Sequence, residues 1–80
     1  MGIYDAVTER LRDLAHQKRY SMNKLADISG ISSSTLKSIL YGNSKNPGIV
    51  TLKKLCDGLE ISIVDFFDTE TFQSLEQEIK

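Results

Sequence analysis

Apolar residues recur at helical spacing from the start of the chain. Ile3, Val7, Leu11, Leu14 and Ala15 fall at i, i+4, i+8, i+11 and i+12, one face of a helix over residues 3–18. Ser21 then offers an N-cap oxygen to a second helix, MNKLADIS. Gly30 closes it, because the left-handed residue after a helix is easiest for glycine. Ser32 caps a third helix with a buried stripe of Leu36, Ile39 and Leu40, and Gly42 ends it. NSKNPG follows as a loop, with Pro47 near the start of a fourth helix. Ile49, Leu52, Leu55, Cys56 and Leu59 mark that helix's core face. Ser62, with Asp65 three residues on, resembles a capping box with Asp in place of Glu, and opens a short fifth helix, IVDFF. No run alternates as a strand requires. The predicted class is all-α: five helices over residues 1–68, then a tail over 69–80. In the tail, Phe72, Leu75 and Ile79 lie at i, i+3 and i+7. Such a stripe on a short sixth helix must bury against the core or a second subunit, with Phe66 and Phe67 available to help.

Composition narrows the function classes. Eighty residues make one domain with a modest core, since a chain this short buries only about 60% of its unfolded surface. Nothing approaches the roughly 18 consecutive apolar residues of a membrane span, so no membrane partner is expected. MGIYDAVTERLRD has no basic stretch followed by a long apolar one and does not read as a secretory signal. Cys56 is alone, which excludes an internal disulfide and a cysteine zinc cluster, and its place on the fourth helix's apolar face reads as core packing. His16 has no second His or Cys in a metal-ligand pattern. No Ser/His/Asp set, paired-carboxylate site or glycine-rich phosphate loop stands out. A cytoplasmic protein without metal, cofactor or enzymatic activity is the expectation.

The net charge of −1 hides a strong asymmetry. Residues 16–54 carry Lys18, Arg19, Lys24, Lys37, Lys45, Lys53 and Lys54 against Asp27 alone. Residues 55–80 carry seven acids against Lys80. A basic middle beside an acidic end suggests one surface that faces a polyanion.

The second and third helices are separated only by Gly30, Ile31 and Ser32. A turn that short forces a steep crossing, Gly30 permits positive φ in it, and Ala26 is small where the helices approach. Leu25, Ile31, Leu36 and Ile39 fill the wedge. This is the pattern of a helix-turn-helix over about residues 21–41, whose second helix enters the DNA major groove.

With that motif in place, the stretch LRDLAHQKRYSMNKLADISGISSSTLKSILYGNSKNPGIVTLKKLCDGLEISIVDFF resembles the lambda-repressor-like, XRE-type helix-turn-helix family of transcriptional regulators. The resemblance covers roughly residues 5–67 and implies a compact domain that binds double-stranded operator DNA, usually as a dimer. It places base reading on the outward face of the third helix, here Ser33, Ser34, Lys37 and Ser38. Ser32 and Thr35 would cap the helix or hold phosphates, and the loop residues Asn43, Ser44, Lys45 and Asn46 would grip the backbone. Tyr41 is a further phosphate candidate, and Tyr20 is either a phosphate donor or a hydrophobic staple. At the start of the second helix, Met22 stands where many members carry Gln; with Asn23 it marks a phosphate-facing helix end, whose backbone N–H groups can meet the anion. Serine bonds several base edges and discriminates weakly, so Lys37 is the best reader of guanine O6 and N7.

Three departures from the family pattern carry their own expectations. Members often pair an Arg late in the first helix with a Glu late in the third. Here those positions are Ala15 and Leu40, so hydrocarbon replaces both ions together. Ser29 stands where an apolar residue is usual, and Ile28 is expected to take over its packing. Glu60 replaces the usual Gly after the fourth helix, which predicts an irregular end there. The leading function is a stand-alone regulator, most simply a repressor, acting as a homodimer. The competing readings are an antitoxin-like module that binds a partner protein through its acidic end, and a helical domain that has lost DNA binding.

Overall fold

The computed structural model describes residues 1–79. It contains α1 (Ile3–Gln17), α2 (Met22–Ser29), α3 (Ser33–Leu40), α4 (Ile49–Gly58), α5 (Ile63–Phe67) and α6 (Glu70–Gln73), with no strand among the described residues. Side-chain hydroxyls fix the starts of four of them. Ser21 accepts from the Lys24 N–H, Ser32 from Thr35, Ser62 from Asp65 and Thr69 from Phe72. Each satisfies one of the donors that a helix start leaves without an internal partner.

Three helices end in the same turn. After α2, the Gly30 N–H bonds the Asp27 carbonyl and the Ile31 N–H bonds Ala26, with Gly30 at φ 70°. After α1, Arg19 and Tyr20 bond His16 and Ala15 in that pattern; after α4, Glu60 and Ile61 bond Asp57 and Cys56. These are Schellman turns. Arg19 and Glu60 adopt φ 59° and 57° to make them, where glycine would be unstrained. The expected irregular end of α4 is therefore a regular turn built on a residue with the wrong side chain for it.

The core is one cluster. Val7, Leu11, Leu14 and Ala15 of α1 meet Leu25 and Ala26 of α2, Leu36, Ile39 and Leu40 of α3, Leu55 and Cys56 of α4, Leu59 just beyond it, and Phe66 of α5. Ala15 and Leu40 are both buried, as the paired loss of the ionic partners requires. α2 packs against both α3 and α4, and Gly58 lies where α4 passes tightly against Ser29 of α2. A Cβ there would lie 2.2 Å from the Ser29 hydroxyl and 3.2 Å from its Cα. Ser29 itself fills the buried place, and Ile28 stays half-buried outside the core cluster, contrary to expectation. The reason is room: this contact with α4 admits only a small side chain.

Two stripe residues do not reach the core. Ile3 is 38% exposed and Ile49 is 84% exposed. Both open their helices, and a first turn that runs past the rim of the cluster finds nothing to bury against. The tail also departs from the single-helix reading. α6 stops at Gln73, where the Ser74 hydroxyl bonds the Glu70 carbonyl, so Leu75 and Ile79 lie beyond it. Phe72 turns inward, 4.9 Å from the Phe67 ring and 6.0 Å from Phe66. The chain then returns to its own start. The Glu76 N–H bonds the Met1 carbonyl, the Met1 ammonium pairs with the Glu76 carboxylate at 3.6 Å, and Glu78 accepts from the Ile3 N–H. Gly2, the N-cap of α1, has no side chain to cap with, and the distant Glu78 supplies the missing acceptor.

Candidate nucleic-acid interface

α3 is held from behind and left open in front. Leu36, Ile39 and Leu40 anchor it in the core, so Ser34, Thr35 and Lys37 face solvent while Ser33 and Ser38 are half-buried at the edges of the same face. Ser32 caps the helix and also shares a hydrogen bond with Thr35 Oγ1 at 2.8 Å. Those two hydroxyls thus have a local structural role at the helix head.

The far end of α3 is locked by other parts of the chain. Its last carbonyls have no partner within the helix. The Ser44 N–H takes Ser38, the Tyr4 hydroxyl takes Ile39 at 2.5 Å, and the Arg12 guanidinium takes Leu40 at 2.6 Å. Arg12 also lies over the Tyr41 ring, 5.7 Å from its centroid, and so places a cation at the negative end of the helix dipole. Tyr4 and Arg12 were not singled out from the sequence. They sit on α1 about 30 residues away, and no local pattern links them to α3.

The Ser38–Ser44 bond folds the loop of residues 43–48 against α3. A polar cleft results, lined by Thr35, Ser38, Ile39, Ser44, Asn46, Pro47, Gly48 and Thr51. It brings together Thr35, Ser38, Ser44 and Asn46, which the resemblance had assigned to DNA. It adds Thr51, in the first turn of α4, which sequence reading passed over; its signal is a hydroxyl three residues after an uncapped glycine N-cap, Gly48. Lys45 and Asn43 are exposed in the same loop, but Lys45 lies on the side toward Ile3 and Tyr4. At the start of α2, Asn23 is exposed, while Met22 is half-buried against the core. Met22 therefore offers its backbone N–H rather than a polar side chain. Tyr20 also packs against the core.

The electrostatics suit an anion. Lys18, Arg19, Lys24, Lys37, Lys45, Lys53 and Lys54 are all exposed. Among the described residues only Lys53 has a carboxylate partner, Asp57 on its own helix. Lys37 and Lys45 are open to an incoming phosphate or base. No group of His, Cys, Asp and Glu among the described residues could hold a metal ion. Cys56 is fully buried, and burial, reinforced by Asp57, pushes its thiol above its ordinary range.

Comparison with known proteins follows the same lines. A model of the Cro/C1-type HTH DNA-binding domain matches residues 10–71. The chain is 44% identical over 55 residues to the HTH-type transcriptional regulator SlrR of Bacillus subtilis (strain 168), covering 69% of this chain and 36% of SlrR. It is 31% identical over 62 residues to the regulator SinR of the same organism, covering 78% of this chain and 56% of SinR. The chain thus spans between about a third and just over half of these relatives. The crystal structure of the prophage Lp1 protein 11 superposes with a TM-score of 0.80 at 34% identity, covering 94% of this chain and all of that one.

Proposed function

Because the chain belongs to the Cro/C1-type helix-turn-helix DNA-binding family, we propose that it is a sequence-specific regulator that binds operator DNA as a homodimer and represses transcription. On this reading it works in the cytoplasm, without cofactor or catalytic step. The observation that carries it is the outward face of α3: short hydroxyls and one unpaired lysine on a helix that is capped at its head, locked at its tail and packed only from behind. Short side chains let the helix backbone approach the base edges closely. Lys37 is the base reader of highest information, with Ser33, Ser34 and Ser38 beside it. Thr35, Tyr41, Asn43, Ser44, Lys45, Asn46 and Asn23, with the backbone at Met22, are assigned to phosphate, which positions the domain without reading sequence. Thr51 joins them.

The test separates reading from positioning. A preferred duplex is first selected from a random pool. Lys45→Ala should weaken that duplex and random DNA by similar factors, and flatten the salt dependence by about one unit of slope per bound subunit. Lys37→Ala and Ser38→Ala should cost about 1–3 kcal/mol on the selected duplex and less on random DNA. If both leave the ratio of specific to random affinity intact, α3 does not read bases. No binding to any duplex at low salt would leave a domain that has lost the activity. The antitoxin-like reading draws on the acidic end, where Glu70, Glu76 and Glu78 are exposed. It requires that truncation after residue 68 abolish capture of a partner protein and leave DNA binding in place.

A further inference from the structure

The tail returns to the loop of residues 43–48, and successive residues of that loop face two ways. Ser44 and Asn46 line the polar cleft beside α3, whereas Lys45 lines a second cleft with Tyr4 and Asp5 of α1 and Glu76 and Glu78 of the tail. Three carboxylates thus share a cleft with one lysine. Among the described residues none is bonded to it: Glu76 pairs with the Met1 ammonium and Glu78 accepts from the Ile3 N–H. Nor do these acids form a group that could hold a metal ion. Lys45 is the side-chain cation that this cleft offers them.

The tail is held at two points, and lightly. Phe72 packs on Phe66 and Phe67 before it, and the contacts of Glu76 and Glu78 with the first three residues follow. Anchoring within one chain gives the carboxylates a high effective concentration beside Lys45. Their own contacts are exposed, and exposed ionic contacts contribute little each. Such a segment is in place by default and easily displaced. Lys45 carries a point charge on a flexible four-carbon stem, so its ammonium can turn to the tail or to the side of Ser44 and Asn46. One charge cannot serve both. A phosphate brought against Ser44 and Asn46 therefore competes with Asp5, Glu76 and Glu78 for the same ammonium.

We infer that residues 74–78 form an autoinhibitory strap, whose acids stand in for DNA phosphate at Lys45 and must be displaced from it by every duplex that binds. For its consequence on DNA the inference rests on the function proposed above; the contact itself does not. Lys45 lies outside the base-reading face of α3, so the strap weakens all duplexes alike and leaves their ranking unchanged. It also lowers the salt dependence of binding, because the released carboxylates take up cations while the DNA gives them up.

Amide exchange by NMR, without DNA, compares the chain with Lys45→Ala. Coupling is reciprocal, so if the tail holds Lys45 then Lys45 holds the tail. Exchange at the Glu76 and Ile3 amides, both bonded between the tail and the start of the chain, should speed up about two- to fivefold. On DNA, the chain carrying Glu76→Gln and Glu78→Gln together should bind selected and random duplexes about two- to fivefold tighter per bound subunit, with a steeper salt dependence. Glutamine keeps an acceptor for the Ile3 N–H, so thermal unfolding should show this variant folded. In a Lys45→Ala background the gain should disappear. A gain of the same size without Lys45 would reduce the effect to net charge and overturn the inference. So would a double variant that binds no tighter, or amides at Glu76 and Ile3 that exchange at the same rate with and without Lys45. If Lys45→Ala frees the tail while no duplex is bound by any form, the strap contact stands and the DNA-binding reading falls.

Discussion

At the scale of single residues, most of the sequence's conformational instructions are hydroxyls and glycines. Ser32 bonds the Thr35 N–H, so Ser32→Ala should cost about 1 kcal/mol in a denaturation experiment. Leu36 is fully buried, and Leu36→Ala should cost about 2–5 kcal/mol. Glu60 offers the opposite case. It sits at φ 57° in a Schellman turn that glycine makes without strain, so Glu60→Gly should raise stability by about 0.5–1 kcal/mol. Ser29 has a buried hydroxyl without a hydrogen-bond partner. Removing the oxygen while keeping the Cβ should cost nothing or stabilise, so Ser29→Ala should not lower the melting temperature. Gly58→Ala should lower it, because the new methyl meets Ser29 at van der Waals overlap. Cys56 gives a pH signature. Its thiol is held protonated in the fold above its ordinary value, by burial first and then by Asp57, so the unfolded chain loses that proton first. The associated stability is complete below that value and falls as pH rises through and beyond it. Cys56→Ala should remove that alkaline part of the pH dependence, as measured by urea unfolding between neutral and alkaline pH.

At the scale of elements, the helices were legible because each carries its own punctuation. The spans MNKLADIS and IVDFF could be read because a serine precedes each and its hydroxyl does the capping. Boundaries failed where the stop is tertiary. α6 ends after four residues, although the Phe72, Leu75, Ile79 spacing invites a longer helix. Phe72 finds the Phe66–Phe67 cluster, and the following residues find better partners at the N-terminus. Phe72→Ala should therefore cost more than either the tail's ion pair or its Glu78 hydrogen bond, about 1–3 kcal/mol, because ring burial is lost. Glu78→Gln should change stability by less than about 1 kcal/mol, since the carboxylate is solvent-exposed. A urea titration of both variants orders the two contributions.

At the scale of the whole molecule, α3 is a surface element whose rigidity comes from elsewhere. Tyr4 and Arg12 of α1 bond the last carbonyls of α3, and Ser44 ties the loop to it. Arg12→Ala should weaken specific DNA binding without touching DNA, through a loosened end of α3, and Arg12→Lys should restore it only in part, because one ammonium cannot both bond Leu40 and stack on Tyr41 as the guanidinium does. What the sequence determined by itself was local: helical periodicity, caps, the three-residue turn after α2, the buried stripe of α3 and the charge asymmetry. These follow from interactions within about four residues, which a one-dimensional pattern records. Tertiary structure decided the rest. It chose Ser29 for a contact too tight for Ile28, left Ile49 and Val50 open where α4 outruns the core, and turned Phe72 inward. It also brought α1 side chains to the end of α3. Each depends on which surfaces meet, and a residue's partner 30 or 70 positions away leaves no mark on its own neighbourhood.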